Sequence, residues 1–245
     1  VHALEGKLIW ITGAAGGIGG AITRRAREIG ARCVLQSRRE IRAPDERCVV
    51  VQSDVGTEEG VREAIEAAQR GFGQAPDLLC HTVGAVALGA LARTSLQQWN
   101  DQLHANATTA FLALRGFAGA SPDGGAALLF SSVAARIGTP NHTAVAAAKG
   151  AVEALTRAAA TDLASRRIRV NALALGLTDT PMTSGFIRDE RSRQAVAAQY
   201  PLGRYGGAEE IAEAALWLLS DQCSWITGQI LPVDGGFTAI RPMVR

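Results

Sequence analysis

Residues 12–19 read Thr12-Gly13-Ala14-Ala15-Gly16-Gly17-Ile18-Gly19, and the fold is decided there. Upstream, residues 7–12 form a short apolar run that reads as a strand. Downstream, residues 18–29 carry Ile18, Ala21, Ile22 and Ile29 on one face of a helix. A strand that runs through glycines into a helix is a phosphate-binding turn. The glycines let the backbone turn sharply and approach a pyrophosphate, and the helix start offers unpaired N–H groups to the anion. Gly13, Gly17, Ile18 and Gly19 are therefore expected to contact a dinucleotide.

Working outward, residues 33–36, 48–52, 78–82, 126–131, 168–174 and 229–233 read as six further strands. Between them, residues 57–69, 96–117, 144–164 and 209–219 have helical spacing. Glu58 and Glu59 suit the positive end of the first of these, and Gly30 stops the helix before it. This alternation predicts one Rossmann-type, doubly wound α/β domain over residues 1–245, with a seven-stranded parallel sheet flanked by helices. Residues 181–207 are polar and turn-rich and are expected to form a substrate lid. Phe186 and Ile187 are its candidates to cover an apolar substrate. Arg188, Arg191 and Arg193 lie among Asp189 and Glu190 and read as a solvated face.

Apolar residues make up 47% of the 245 and charged residues 20%, which allows a sizeable core and excludes global disorder. The net charge of +2, without a basic stripe, excludes a dedicated nucleic-acid binder. No apolar run reaches the roughly eighteen residues of a membrane span, and residues 1–6 lack a signal-peptide pattern. A cytoplasmic protein with neither membrane nor nucleic-acid partner is expected. Cys33, Cys48, Cys80 and Cys223 form no Cys-x-x-Cys pair and read as buried reduced thiols. His2, His81, His104 and His142 lack metal-ligand spacing, so no metal is expected. Lys7 and Lys149 are the only lysines among 25 basic residues. Arginine is this chain's default cation, so Lys149 marks a place where a guanidinium does not serve.

The second strand ends in Ser37-Arg38-Arg39. An acid there would accept hydrogen bonds from the adenosine 2′-hydroxyl and favour NAD(H). A serine with two guanidinium groups suits a 2′-phosphate, so NADP(H) is expected in preference. Asp54, after the third strand, reads as an adenine contact or as a helix cap.

Together these residues resemble the short-chain dehydrogenase/reductase family over nearly the whole chain. Residues 12–19 match its Thr-Gly-x-x-x-Gly-x-Gly, and Asp54-Val55 its adenine-site dipeptide. Trp99 and Asn106 match its long helix and active-site Asn, Ser131-Ser132-Val133 its catalytic-Ser strand end, and Lys149 the lysine of Tyr-x-x-x-Lys. Asn171, Gly176 and Thr180-Pro181-Met182 match the segment beyond the sixth strand. Pro201-Leu202-Gly203-Arg204, Thr227-Gly228-Gln229 and Asp234-Gly235-Gly236 match its C-terminal signatures. The pattern is most similar to the 3-oxoacyl-carrier-protein reductase type. The resemblance implies catalytic roles for Ser132, Lys149 and Asn106, and cofactor contacts at Val83, Gly84, Lys149, Gly176 and Thr180. It also implies a small carbonyl or alcohol substrate and a homodimer or homotetramer joined through the two long helices.

Three departures stand out. His81-Thr82-Val83-Gly84 replaces the family's Asn-Asn-Ala-Gly, and Leu175-Gly176 its Pro-Gly. Val145, thirteen residues after Ser132 and four before Lys149, stands where the family has its catalytic Tyr. The only tyrosines, Tyr200 and Tyr205, lie in residues 181–207. Losing a general acid costs about 10²- to 10⁴-fold in rate, while the positioning of hydride against carbonyl survives. His142, three residues before Val145, is the candidate substitute, because an imidazole titrates near neutral pH. Its alternative is a loop-surface histidine, and Tyr200 could also swing in with the lid. Two functions stay open. One is an NADP(H)-dependent oxidoreductase interconverting a carbonyl and an alcohol with a non-standard proton donor. The other is a cofactor-binding but redox-poor protein acting as partner subunit, sensor or non-redox enzyme.

Overall fold

The first strand, β1 (Leu8–Thr12), is buried at every position, as a parallel strand covered on both faces must be. Its alternate side chains divide the core. Ile9 and Ile11 join one apolar cluster, Leu8 and Trp10 the other. The computed structural model describes residues 4–241. Residues 1–3, with His2 and half of the signal-peptide reading, lie outside the described residues, as do 242–245.

After β1 come α1 (Gly17–Glu28), β2 (Arg32–Ser37), β3 (Cys48–Gln52), α2 (Glu58–Phe72) and β4 (Leu78–His81). There follow α3 (Leu96–Leu103), α4 (Thr109–Ala120), β5 (Ala126–Ser132), α5 (Thr143–Leu163) and β6 (Arg169–Leu175). The chain ends with β7 (Thr178–Asp179), α6 (Glu190–Ala197), β8 (Gly206–Gly207), α7 (Ala208–Leu219) and β9 (Ile230–Val233). Seven strands form one sheet in the order β3-β2-β1-β4-β5-β6-β9, every pairing parallel, and the short β7 and β8 pair apart from it. This is a Rossmann-like α/β fold. Its strand order reverses between β1 and β4, and ligands of such sheets bind beyond the carboxyl ends at that point.

Helices α1 and α7 cover one face through Ile22, Ala26, Ile211 and Leu218. Helices α2, α4 and α5 cover the other through Ala64, Phe117 and Val152. The expected polar signals act at the ends. Thr57 caps α2 by accepting from the Gly60 N–H, Glu58 and Glu59 occupy its first turn, and left-handed Gly73 closes it. The four cysteines are free and buried, with Cys33 and Cys48 facing each other in register across β2 and β3. No helix among the described residues is long and apolar enough to cross a membrane.

One expectation is corrected. Residues 96–117 do not form a uniform α-helix, because α3 passes into α4 through a π turn at His104–Thr108. A π turn admits one extra residue and often sits at a functional site. Asn106 lies in it, and its Nδ2 donates to Gln102 O at 2.9 Å and to Ala85 O at 3.0 Å. The turn thus ties the helix to the segment beyond β4.

Candidate active site

Beyond β1, Gly13 has φ +69°, and a Cβ there would stand 2.8 Å from Thr82 Oγ1. A Cβ on Gly19 would overlap Gly13 O, and one on Gly17 would stand 2.9 Å from Thr180 Cβ. These glycines close the turn onto its neighbours. Helix α1 follows Gly16 as its N-cap, with no side-chain cap and no acid in its first turn, so its start remains open to an anion.

A cavity of about 350 Å³ opens in front of the turn. Gly13, Ser37, Arg38, Arg39, Asp54, Val55, Val83 and Gly84 line it, and so does His104, which sequence reading had considered only as a metal ligand. Gly17 and Gly19 shape the turn without lining the cavity. The Arg39 N–H donates to Ser37 Oγ at 3.0 Å, and its Nη2 donates to Ala15 O at 2.6 Å, so Arg39 ties β2 to the glycine turn. Arg38 is exposed and stands 3.9 Å from Asp54. Asp54 does not cap α2, since Thr57 does; its Oδ1 accepts from the Gly56 N–H at 2.8 Å.

A second cavity, about 360 Å³, shares Thr82, Gly84, Ala85 and Met182 with the first. It brings together Asn106, Ser132, His142, Val145 and Lys149, and also meets Ile18, Gly176 and Thr180. Ser132 ends β5 in register with Leu175 of β6. Its Oγ accepts from the Ala134 N–H at 3.2 Å, which leaves its own proton free to donate. Val145 and Lys149 lie one turn apart on α5 and so share a face. Lys149 is buried and its Nζ donates to Phe130 O at 2.8 Å. Burial pushes its ammonium down from the ordinary 10.5 to about 8. A Cβ on Gly84 would stand 2.8 Å from Asn106 Oδ1 and 3.2 Å from Lys149 Nζ, so the glycine lets the chain beyond β4 approach both.

The two histidines near the crevice differ. His142 is half-buried at the start of α5, with Nδ1 2.7 Å from Pro140 O. A carbonyl only accepts, so the bond assigns the proton to Nδ1 and leaves Nε2 as the free nitrogen. His81 does not line the cavity. Its Nδ1 is 2.9 Å from Thr12 Oγ1 and its Nε2 3.2 Å from Thr109 Oγ1. Thr109 spends its proton on Ala105 O at 3.0 Å, so Nε2–H donates to Thr109 and Nδ1 accepts from Thr12. Burial first, and then the Lys149 charge, lower the His81 pKa to about 3, which keeps the ring neutral.

The remaining wall comes from residues 181–207 and from Phe237. Phe186 lines the cavity, but Ile187 does not, because the chain turns after Phe186 and packs Ile187 inside. Tyr200 is buried against the cavity with its ring centroid 5.0 Å from that of Phe237. No motif in the sequence marks Phe237, and Tyr200 is placed by the structure as a fixed wall residue and not a mobile one. The available signal was that only two tyrosines exist and that one directly precedes Pro201.

Residues 13–238 match the family model described as Enoyl-(Acyl carrier protein) reductase. The chain is also similar to cis-4-hydroxycyclohexanecarboxylate dehydrogenase of Sinomonas cyclohexanicum, at 36% identity over 251 residues, covering 98% of this chain and 99% of the relative. The chain belongs to the short-chain dehydrogenase/reductase family. A second relative is the inactive 2-(S)-hydroxypropyl-CoM dehydrogenase 2 of Xanthobacter autotrophicus, 35% identical over 196 residues, or 78% of this chain and 85% of that one. Among solved structures, the ligand-free aldohexose dehydrogenase of Thermoplasma acidophilum superposes with a TM-score of 0.91 at 27% identity, covering 100% of this chain and 98% of that one. Short-chain dehydrogenases/reductases are oxidoreductases of alcohols and carbonyls that bind a nicotinamide cofactor. The glycine cradle and the open start of α1 fit such a dinucleotide.

Proposed function

We propose that this chain is an NADP(H)-dependent oxidoreductase that interconverts a carbonyl and an alcohol of a small molecule, with His142 supplying the proton that a tyrosine supplies elsewhere in the family. The observation that carries the reading is that Ser132, His142 and Lys149 line one cavity adjoining the glycine turn, with Val145 between His142 and Lys149 along the chain. Residues 1–245 act as one dinucleotide-binding domain, and residues 181–207 cover the cavity through Phe186. Assembly as a homodimer or homotetramer uses α3 and α4 together with α5.

Gly13, Gly17, Ile18 and Gly19 hold the pyrophosphate at the start of α1, and Val83, Gly84, Gly176 and Thr180 flank the nicotinamide half. Asp54 and Val55 meet the adenine. Ser37, Arg38 and Arg39 take the 2′-phosphate. The Ser37 hydroxyl accepts from the Arg39 N–H and keeps its own proton to give, and exposed Arg38 can turn onto the anion. Lys149 holds the ribose hydroxyls, and Asn106 fixes the chain beyond β4. When bound, the nicotinamide gives or takes the hydride.

Ser132 donates a hydrogen bond from its hydroxyl to the substrate oxygen, keeping its proton, and stabilises the charge that develops there. Pro140 O holds His142 by Nδ1–H, so Nε2 is the working nitrogen. As imidazolium it donates to the oxygen in reduction; as neutral imidazole it accepts the hydroxyl proton in oxidation. Its half-buried place at the cavity edge lets it exchange that proton with solvent.

The test is transfer of deuterium from 4-deuterated NADPH to a panel of ketones, by wild type and His142→Ala. Transfer by wild type, with a loss of about 10²-fold or more in His142→Ala at unchanged NADPH affinity, is expected. Equal turnover by the two proteins removes His142 from the mechanism. Val145, which offers only methyl groups to the cavity, favours a second reading as a redox-poor protein, and one relative is an inactive dehydrogenase. Tight NADPH binding with no transfer across the panel selects that reading.

A further inference from the structure

Tyr200 carries a phenol proton for which no acceptor stands among the described residues. Its Oη accepts the Leu177 N–H at 2.7 Å, and that bond uses the oxygen without using the proton. The ring is held firmly. A Cβ on Gly176 would stand 3.0 Å from Tyr200 Cε1, so glycine is what admits the ring, and Phe237 packs against it. The side chain is 8% exposed yet lines the cavity that holds Ser132 and Lys149. A buried donor without an acceptor is costly unless a ligand or water satisfies it.

The place of this phenol relative to the reacting end follows from the sheet. Ser132 is in register with Leu175, and Leu177, which holds the phenol, is two residues further along. The phenol therefore stands beyond the carboxyl end of β6, on the wall that continues from the Ser132 register position. Around the cavity, Leu88, Val145, Leu177, Phe186 and Phe237 are apolar. Among the described residues, Lys149 and His142 are its only basic residues, and no carboxylate or guanidinium lines it. The Tyr200 Oη–H offers a donor to any substituent of the substrate that carries an acceptor oxygen.

We infer that Tyr200 binds a second oxygen of the substrate, so that the substrate class is a ketone or alcohol carrying another hydroxyl or carbonyl group. One oxygen reacts at Ser132 and the other accepts from Tyr200 Oη–H. The inference rests on the oxidoreductase reading of the same site.

The experiment compares 4-hydroxycyclohexanone with 4-methylcyclohexanone, which has nearly the same size and no second acceptor. Each is titrated calorimetrically into the full chain saturated with NADP⁺, which needs no turnover, and kcat/KM is then measured with NADPH. In Tyr200→Phe the preference for the hydroxyl compound falls about 3- to 10-fold in both measurements. Loss of the Leu177 contact alone moves both probes together and leaves their ratio unchanged. A ratio unaltered within about twofold overturns the proposal, as does failure of both probes to bind wild type. A calorimetric ratio that falls without any turnover keeps the Tyr200 contact and removes the oxidoreductase reading. Ultraviolet Raman spectra of wild type give a check free of any variant, since the chain has only two tyrosines. The tyrosine doublet shifts toward a donating phenol with the hydroxyl compound and not with the methyl one; no difference between them overturns the proposal.

Discussion

Around residues 13–19 the cradle is made of backbone, whereas around Ser132, Val145 and Lys149 the cavity is made of side chains. At the first, glycine is demanded because a Cβ would strike the turn itself, as at Gly19 against Gly13 O. At the second, a valine packs at position 145 with 2% of its surface exposed, and α5 forms regardless. A backbone cradle therefore fixes residue type, while a side-chain cavity can change its chemistry without losing the fold. Gly19→Ala tests the stringent end. Affinity for NADPH falls about 10- to 100-fold and stability by about 1–3 kcal/mol, read by nicotinamide fluorescence titration and denaturant unfolding. Gly138→Ala, in the loop between β5 and α5 where a Cβ meets nothing within 4 Å, loses neither. An equal loss at the two positions would erase the distinction.

The permissive end is sharpened by Val145→Tyr. The substitution places a phenol one turn from Lys149, facing the same cavity. Turnover of a ketone that wild type reduces slowly rises by about 10²-fold, with NADPH affinity unchanged. Unchanged turnover, in a variant that still binds NADPH, would mean that the side chains around position 145 do not suit a phenol.

The same contrast explains what could be read from sequence. Periodicity and turn chemistry carried the strands, α1 and the glycine turn, because backbone demands restrict residue type locally. Lys149 was visible by its rarity in an arginine-rich chain. The π turn was hidden because one inserted residue leaves the apolar run of residues 96–117 intact. The distinction between Phe186 and Ile187 was hidden because both are apolar and a single turn decides which one faces the cavity. Tyr200 meets Leu177 across a loop with no periodicity to announce it. The free nitrogen of His142 depends on the Pro140 carbonyl, which only three-dimensional placement supplies.

Lys149 sits where the two regions meet, close to Gly84 of one cavity and lining the other, so its titration reports on the junction. Burial lowers its pKa from 10.5 to about 8. Between these values the unfolded chain holds a proton that the folded chain has released, so this residue's contribution makes stability rise with pH. Below pH 8 both states are charged and the folded protein carries the full cost of the buried ammonium, of order 3 kcal/mol for a shift of this size. Lys149→Met removes that cost and also the bond to Phe130 O. The lost bond shifts the variant's stability by a pH-independent amount, so the shape of the difference curve carries the information. Wild-type stability minus variant stability, from denaturant unfolding without cofactor, is flat below pH 8, climbs to about 10.5 and is flat above. A difference that stays constant across the window would mean that the ammonium is solvated, and would place Lys149 on the open side of the crevice instead of at the closed junction between its two ends.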